Sequence, residues 1–309
     1  MKIVILDSKT FGKDISLDKF KQFGQIEMYE TTKADETFNR VQDADVVITN
    51  KVVIDKNIMK NSKIKLICIA ATGKNNVDLE YAKEKNIEVK NVTGYSIGTV
   101  PQLTITLVLH FVQKLDYYKK YVDDKKWEKS DIFTHLDVPF YELRNKNWGI
   151  IGLGSIGSKV AEIATAFGCN VTYYSTSGKS RSTKYTQQSL EELLSTSDVV
   201  TIHSPLNDST LNLINKTNLS TMKDGAVLVN VGRGGIINEK DLADSLDSDK
   251  VLYCGLDVVN IEPIEKDNPL NKIQNKERLV ITPHIAWASI EARNTIIDRT
   301  FDNIQEFIL

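Results

Sequence analysis

Two side chains are placed where they could act on a small bound molecule: Arg233, between Gly232 and Gly234, and His284, directly after Pro283. An arginine flanked by glycines has no apolar neighbours to cover its stem, and its planar fork suits two-point capture of a carboxylate. Histidine is the side chain that exchanges a proton near neutrality. Taken singly each is ordinary, since surface arginines and structural histidines are common. Glu262, in Asn260-Ile261-Glu262-Pro263, is a third candidate, because a carboxylate beside an imidazole favours the charged ring. Together the three would grip an acid, deliver a proton and keep the proton donor charged.

A second chemistry is written in Trp148-Gly-Ile-Ile-Gly-Leu-Gly-Ser-Ile-Gly157. Gly152, Gly154 and Gly157 stand in G-x-G-x-x-G spacing directly after an apolar run. The first glycine makes a tight strand-to-helix turn, the second lets the backbone approach a pyrophosphate, and the third allows close helix–strand packing. Ser155 and Ile156 lie inside the turn, and the helical stretch through Lys159–Ala164 aims its free N–H groups and positive dipole end at the phosphates. An apolar strand, Val171–Tyr174, follows Gly168. That context turns a common glycine pattern into a dinucleotide site.

The elements that must position these residues come in two series. Ile3–Leu6, Val46–Thr49, Lys65–Ala70 and Ile87–Lys90 form one; Asn147–Ile151, Val171–Tyr174, Val199–His203, Ala226–Asn230, Leu252–Leu256 and Leu279–Thr282 form the other. Short apolar strands alternating with amphipathic helical stretches predict two doubly wound parallel-sheet α/β units. Thr99–Leu109, with Pro101 in its first turn, reads as a helix buried between the units, and the segment from Lys119 to Leu143 as helix followed by loop. After Pro283 the pattern is helical to the end, and this last helix crosses back to the first unit. Ligands of such sheets bind beyond the carboxyl ends of the strands. His203, Pro205, Val231, Gly232, Arg233, Asp257 and His284 all follow strands of the second series and are therefore expected to face a cofactor.

Composition excludes other classes. A net charge of −2 over 309 residues, without clustered lysine and arginine, argues against a nucleic-acid partner. No stretch reaches the roughly 18 to 20 apolar residues of a membrane span, and Ile3–Leu6 is too short for a signal segment. Cys68, Cys169 and Cys254 are far apart in apolar segments and read as buried thiols of a reducing cytoplasm, not disulfides or metal ligands.

These segments, in this order, resemble the D-isomer-specific 2-hydroxyacid dehydrogenase family over almost the whole chain. The resemblance is carried by Ala71-Thr-Gly-Lys-Asn-Asn-Val-Asp78, the glycine fingerprint, His203-Ser-Pro-Leu206, Asn230-Val-Gly-Arg-Gly234, Gly255-Leu-Asp-Val258, Glu262-Pro263 and Thr282-Pro-His-Ile-Ala-Trp287. It implies a flavodoxin-like substrate domain, residues 1–98 plus 285–309, and an inserted dinucleotide-binding domain, residues 99–284. By the same resemblance Arg233 grips the 2-keto acid, His284 is the acid/base, Glu262 supports it, Asp257 lies near the nicotinamide carboxamide, and the backbone at Thr72 and Gly73 adds anion binding. Trp287 would wall the substrate pocket or serve as core packing. The members most similar are glycerate dehydrogenases and hydroxypyruvate reductases, which implies reduction of hydroxypyruvate or glyoxylate. Pyruvate and branched keto acids remain open, as does the nucleotide-sensing corepressor role that some members play. Dimers packed through the nucleotide domains are the family habit.

One position departs from the NAD-selective pattern. The strand 171–174 ends in Ser175-Thr176 where an acid normally binds the ribose 2′-hydroxyl. Either NAD or NADP then fits, with the balance toward NADPH being usable, its 2′-phosphate meeting Ser175, Thr176 and Lys179 or Arg181.

Overall fold

Val46-Val47-Ile48-Thr49 and Leu66-Ile67-Cys68-Ile69 are apolar along nearly their whole length, which suits strands covered on both faces, and all eight residues are buried. They form the middle of an all-parallel sheet in the computed structural model, which describes residues 1–179, 182–248, 250 and 253–309. The chain divides into two units, Met1–Ser96 with Trp287–Leu309, and Ile97–Ala286.

In the first unit β1 (Lys2–Ile5), β2 (Gln25–Met28), β3 (Val46–Thr49), β4 (Leu66–Ile69) and β5 (Glu88–Asn91) lie in the order β2-β1-β3-β4-β5. Helices α1 (Ala34–Val41), α2 (Lys56–Lys60) and α3 (Leu79–Glu84) fill the crossovers. Alternate strand residues feed opposite layers. Ile3, Ile5, Val46, Ile48 and Leu66 join one apolar cluster, while Val4, Val47, Ile67 and Ile69 join another that includes Val41, Met59 and Ala82 from the helices. The edge strand β2 is not among the strands the periodicity predicts; its Gln-Ile-Glu-Met sequence is half exposed and lacks an apolar run.

The second unit opens with α4 (Thr99–Val112) and α5 (Leu115–Asp123). Next come β6 (Asn147–Ile151), α6 (Ser155–Ala166), β7 (Asn170–Tyr174), β8 (Thr186–Gln187), α7 (Leu190–Thr196) and β9 (Val199–Ile202). The unit continues with α8 (Lys216–Thr221), β10 (Val227–Asn230), α9 (Glu239–Asp247), β11 (Tyr253–Leu256) and β12 (Leu279–Ile281). The order is β12-β11-β10-β9-β6-β7-β8, every pair parallel, so its direction reverses between β6 and β9. That reversal opens the crevice where doubly wound sheets take their ligands. The two-residue β8 also escapes the periodicity, and Leu252, expected at the start of β11, lies outside the described residues. Helix α4 packs its apolar side on α6, β10 and β11 of the second unit.

The final helix, α10 (Ile290–Ile308), belongs to the first unit and packs on β4. It starts later than the sequence pattern suggests. Residues 284–289 form an irregular turn, and Ser289 caps the helix by accepting from the Ala292 N–H.

Candidate active site

The glycine fingerprint adopts the geometry its spacing requires. Gly152 leaves β6 at φ +92°, a conformation side chains resist, and a Cβ there would stand 2.9 Å from the Ser204 nitrogen. A Cβ on Gly157 would stand 2.2 Å from the Gly152 oxygen, so α6 packs on the strand end only because that atom is missing. At Gly154, by contrast, a Cβ would meet nothing within 4 Å, which leaves the backbone ahead of α6 open to a ligand. Ser155 and Ile156 are the first residues of that helix.

A cavity of about 590 Å³ lies over this turn, walled by Gly152, Gly154, Ser175, Thr176, His203 and Pro205 among others. Both ring nitrogens of His203 and the Ser204 hydroxyl are shut from solvent with no hydrogen-bond partner among the described residues. Orphaned buried polar atoms are rare in native proteins and call for a missing partner. Together with the glycine cradle they fit a dinucleotide. Desolvation pulls the His203 pKa down to about 3, which favours the neutral ring.

Ser175 is buried, and its hydroxyl donates to the Lys179 carbonyl at 2.7 Å, closing the turn after β7. This places Thr176 and Ser177 on the cavity wall and gives Ser175 a shaping role beyond the one the sequence suggests. Arg181, the other candidate for a 2′-phosphate, lies outside the described residues.

Arg233 follows β10 in a loop folded by Asn230, whose amide donates to the Arg233 carbonyl at 2.8 Å and accepts from the Gly232 N–H at 3.0 Å. The arginine itself is exposed and extended. Val231 is buried beneath it, and a Cβ on Gly232 would approach the Ser204 carbonyl to 3.1 Å, so the loops after β9 and β10 touch. Gly234 makes the tightest approach in the site. A Cβ there would lie 2.0 Å from the Val259 carbonyl carbon and 2.4 Å from the Asn260 nitrogen. The Arg233 loop is thereby pressed backbone-to-backbone against the segment that carries Glu262.

Glu262 accepts from the Val259 N–H through Oε1 at 3.2 Å, and its Oε2 lies 2.6 Å from His284 Nδ1. The pair is partly open to solvent, with side chains 34% and 26% exposed. Engaging Nδ1 fixes the ring and leaves Nε2 to exchange the proton. His284 sits at φ +53°, a left-handed conformation unusual for a residue with a Cβ. Asp257 accounts for its persistence. Its carboxylate accepts from the Thr282 hydroxyl at 2.6 Å and from the Ile285 and Ala286 N–H groups at 2.8 Å, while its carbonyl accepts from the His284 N–H at 2.9 Å. Burial pushes the Asp257 carboxyl above the ordinary range, against the pull of those donors.

The remaining predicted residues belong to the first unit. Thr72 is exposed; its hydroxyl donates to the Val92 carbonyl at 3.2 Å and its own carbonyl accepts from the Asn91 amide at 2.7 Å, fixing the loop that includes Gly73. Asp78, at the end of that loop, caps α3 by accepting from the Tyr81 N–H at 3.0 Å. Trp287 stacks edge-on with Tyr95 at 6.2 Å and packs against that unit's core. Asn230, Gly234 and Thr282 organise the site although no role was assigned to them from the sequence; each stands inside a motif that carries the family resemblance.

Residues 105–286, more than half of the chain, match the profile described as D-isomer specific 2-hydroxyacid dehydrogenase, NAD binding domain. The chain belongs to this family. A putative 2-hydroxyacid dehydrogenase of Haemophilus influenzae is 42% identical, the alignment covering 100% of this chain and 98% of the relative. A hydroxypyruvate reductase of Blautia hydrogenotrophica is 38% identical, covering 100% and 97%. Among solved structures, D-lactate dehydrogenase from Aquifex aeolicus complexed with NAD and lactic acid superposes with a TM-score of 0.85 at 26% identity, covering 100% of this chain and 95% of that one. The chain is thus an NAD(P)-dependent oxidoreductase of 2-hydroxy acids, and the corepressor reading is not favoured.

Proposed function

We propose that this dehydrogenase reduces hydroxypyruvate to D-glycerate or glyoxylate to glycolate, with Arg233, Glu262 and His284 as its working residues. The contact of 2.6 Å between Glu262 and His284 carries the reading, since it is the arrangement a proton donor needs. When bound, the nicotinamide supplies a hydride to the ketone carbon. Charge then develops on the ketone oxygen. His284 Nε2 donates a proton to that oxygen, Glu262 stabilises the charged ring beforehand, and the Arg233 fork holds the substrate carboxylate while adding a fixed positive charge. Thr72 and Gly73, on the first unit, are assigned anion binding through backbone N–H groups. The name of the Blautia relative favours hydroxypyruvate among possible acids.

The neutral wall at Thr176 and Ser177 supports use of NADPH beside NADH. A homodimer through the second unit is supported by Trp127, Ile132, Phe133, Leu136, Phe140 and Tyr141, large apolar residues exposed within one segment; Phe133 is 89% exposed. Cys68, Cys169 and Cys254, free and buried, suit a reducing cytoplasm, and no described helix is long and apolar enough to cross a membrane.

The test is oxidation of NADH and NADPH with glyoxylate, hydroxypyruvate, pyruvate and phosphohydroxypyruvate, comparing kcat/KM. Hydroxypyruvate or glyoxylate should lead, and both cofactors should work. Preference for another acid would overturn the substrate assignment, and tight cofactor binding without turnover of any acid would return the sensor reading.

A further inference from the structure

We propose that Asp208 sets the cofactor preference of this enzyme: its carboxylate repels a ribose 2′-phosphate and tilts binding toward NADH, a discrimination that Ser175 does not supply. This rests on the reading made above that both cofactors enter the cavity, and adds which of them the cavity favours. Ser175, where an acid would discriminate, is neutral and engaged in its own turn, donating to the Lys179 carbonyl at 2.7 Å. Asp208 also walls the cavity. Among the described residues around that cavity it is the only acid, and no lysine or arginine is among them.

The sheet order fixes where this charge stands. Strand β6 lies between β7 and β9, so the turns after β7 and β9 flank the glycine turn from its two sides. One carries Thr176 and Ser177, the other Asn207, Asp208 and Ser209. Two strand spacings separate them, about 10 Å. The turn that carries Asp208 is tied down. The Asn207 side-chain oxygen accepts from the Ser209 N–H at 3.0 Å and from its hydroxyl at 2.7 Å, while the buried Thr210 hydroxyl donates to the Pro205 carbonyl at 2.7 Å and accepts from the Asn207 N–H at 2.8 Å. Asp208 itself has no side-chain partner among the described residues, so its charge is not cancelled. A phosphate monoester at neutral pH bears a charge of about −1.5 to −2. At about 10 Å from a carboxylate, even with the dielectric of water, the repulsion amounts to about threefold in binding at low ionic strength. A ribose hydroxyl feels no such repulsion, and the pyrophosphate, common to both cofactors, cancels from the comparison.

Asp208→Asn removes the charge and keeps the shape. With the purified full-length enzyme, Kd for NADH and for NADPH is measured by fluorescence titration at low ionic strength, and the ratio of the NADPH value to the NADH value is compared between proteins. Wild type should hold NADH more tightly. In Asp208→Asn the ratio should fall about threefold, and in Asp208→Lys further. Raising the salt to about 1 M should remove most of the difference between wild type and variants. Unchanged ratios in both variants would overturn the proposal, and so would a wild type that holds NADPH more tightly than NADH. Equal loss of affinity for both cofactors would also reject it, making Asp208 a ligand of the adenosine they share. Failure of the underlying reading shows differently: NADPH then binds neither wild type nor variants while NADH binds all three, and Asp208 has no preference to set.

Discussion

The close approach at Gly234 makes a prediction that can be worked from distances. In Gly234→Ala the new Cβ would stand 2.0 Å from the Val259 carbonyl carbon, 2.1 Å from its oxygen and 2.4 Å from the Asn260 nitrogen. All three are backbone atoms, so no rotamer change relieves the clash. Restoring ordinary contact requires the Arg233 loop and the 259–262 segment to part by about 1.4 Å. The Glu262–His284 contact of 2.6 Å has no such slack. A shift of about 1 Å in catalytic groups costs on the order of 100-fold in rate, so kcat/KM for 2-keto acid reduction should fall by about that factor or more. Overpacking also destabilises, by about 1–3 kcal/mol, which lowers Tm by only several degrees in a chain of this size. The cavity over the glycine turn is walled by other loops, so NADH affinity should fall less than kcat/KM. Steady-state kinetics, calorimetry and a fluorescence titration on the same preparation separate these effects. Wild-type kcat/KM in a folded Gly234→Ala enzyme would refute the claim that this packing registers the catalytic residues.

Arg233→Lys keeps the charge but loses the fork, and should cost about 3–4 kcal/mol in kcat/KM, on the scale of a principal electrostatic donor; near-normal kinetics would remove the residue from its role. Since His284 must be charged to reduce and neutral to oxidise, kcat/KM for reduction should decline with rising pH while that for oxidation increases, and parallel profiles in the two directions would contradict the assignment. His203 gives a test in stability. Its pKa falls from the ordinary 6.5 to about 3 on folding, so only the unfolded chain gains a proton in that window. The native state should lose about 1.4 kcal/mol per pH unit as pH drops below the ordinary histidine value. Asp7 and Asp257, whose carboxyls burial raises, act with the opposite sign at lower pH. Urea melts of wild type against His203→Gln isolate the histidine, and equal slopes in the two proteins would exclude its contribution.

Strands with two buried faces were legible because nothing but unbroken apolar runs can fill them: Val46–Thr49 and Asn147–Ile151 begin and end where the sequence places them. Two edge strands were not: Gln25–Met28 is half exposed and Thr186–Gln187 is two exposed polar residues long, so neither carries a hydrophobic run. At the site, Glu262 and His284 were readable as a pair, and the structure joins them directly. The helix expected straight after Pro283 instead begins at Ile290, because the intervening residues are wound about Asp257. That winding depends on a carboxylate from another strand, which local periodicity cannot report. The approach of Gly234 to Val259 is hidden for the same reason, the two being brought together by strand pairing between β10 and β11.

The last helix ties the two ends of the chain into one body. Arg293 pairs with both oxygens of Asp14 at 2.6 and 2.8 Å, Lys90 pairs with Glu306 at 2.8 Å, and Ile296, Ile297 and Ile304 are buried against Ile3, Ile5 and their neighbours. On the ribosome the residues of the first sheet emerge early, yet one of their apolar faces stays uncovered until the final helix has been made. The nucleotide-binding unit, continuous in the chain, is complete before then. In the nascent chain that face is an apolar surface left without its partner helix until α10 is made.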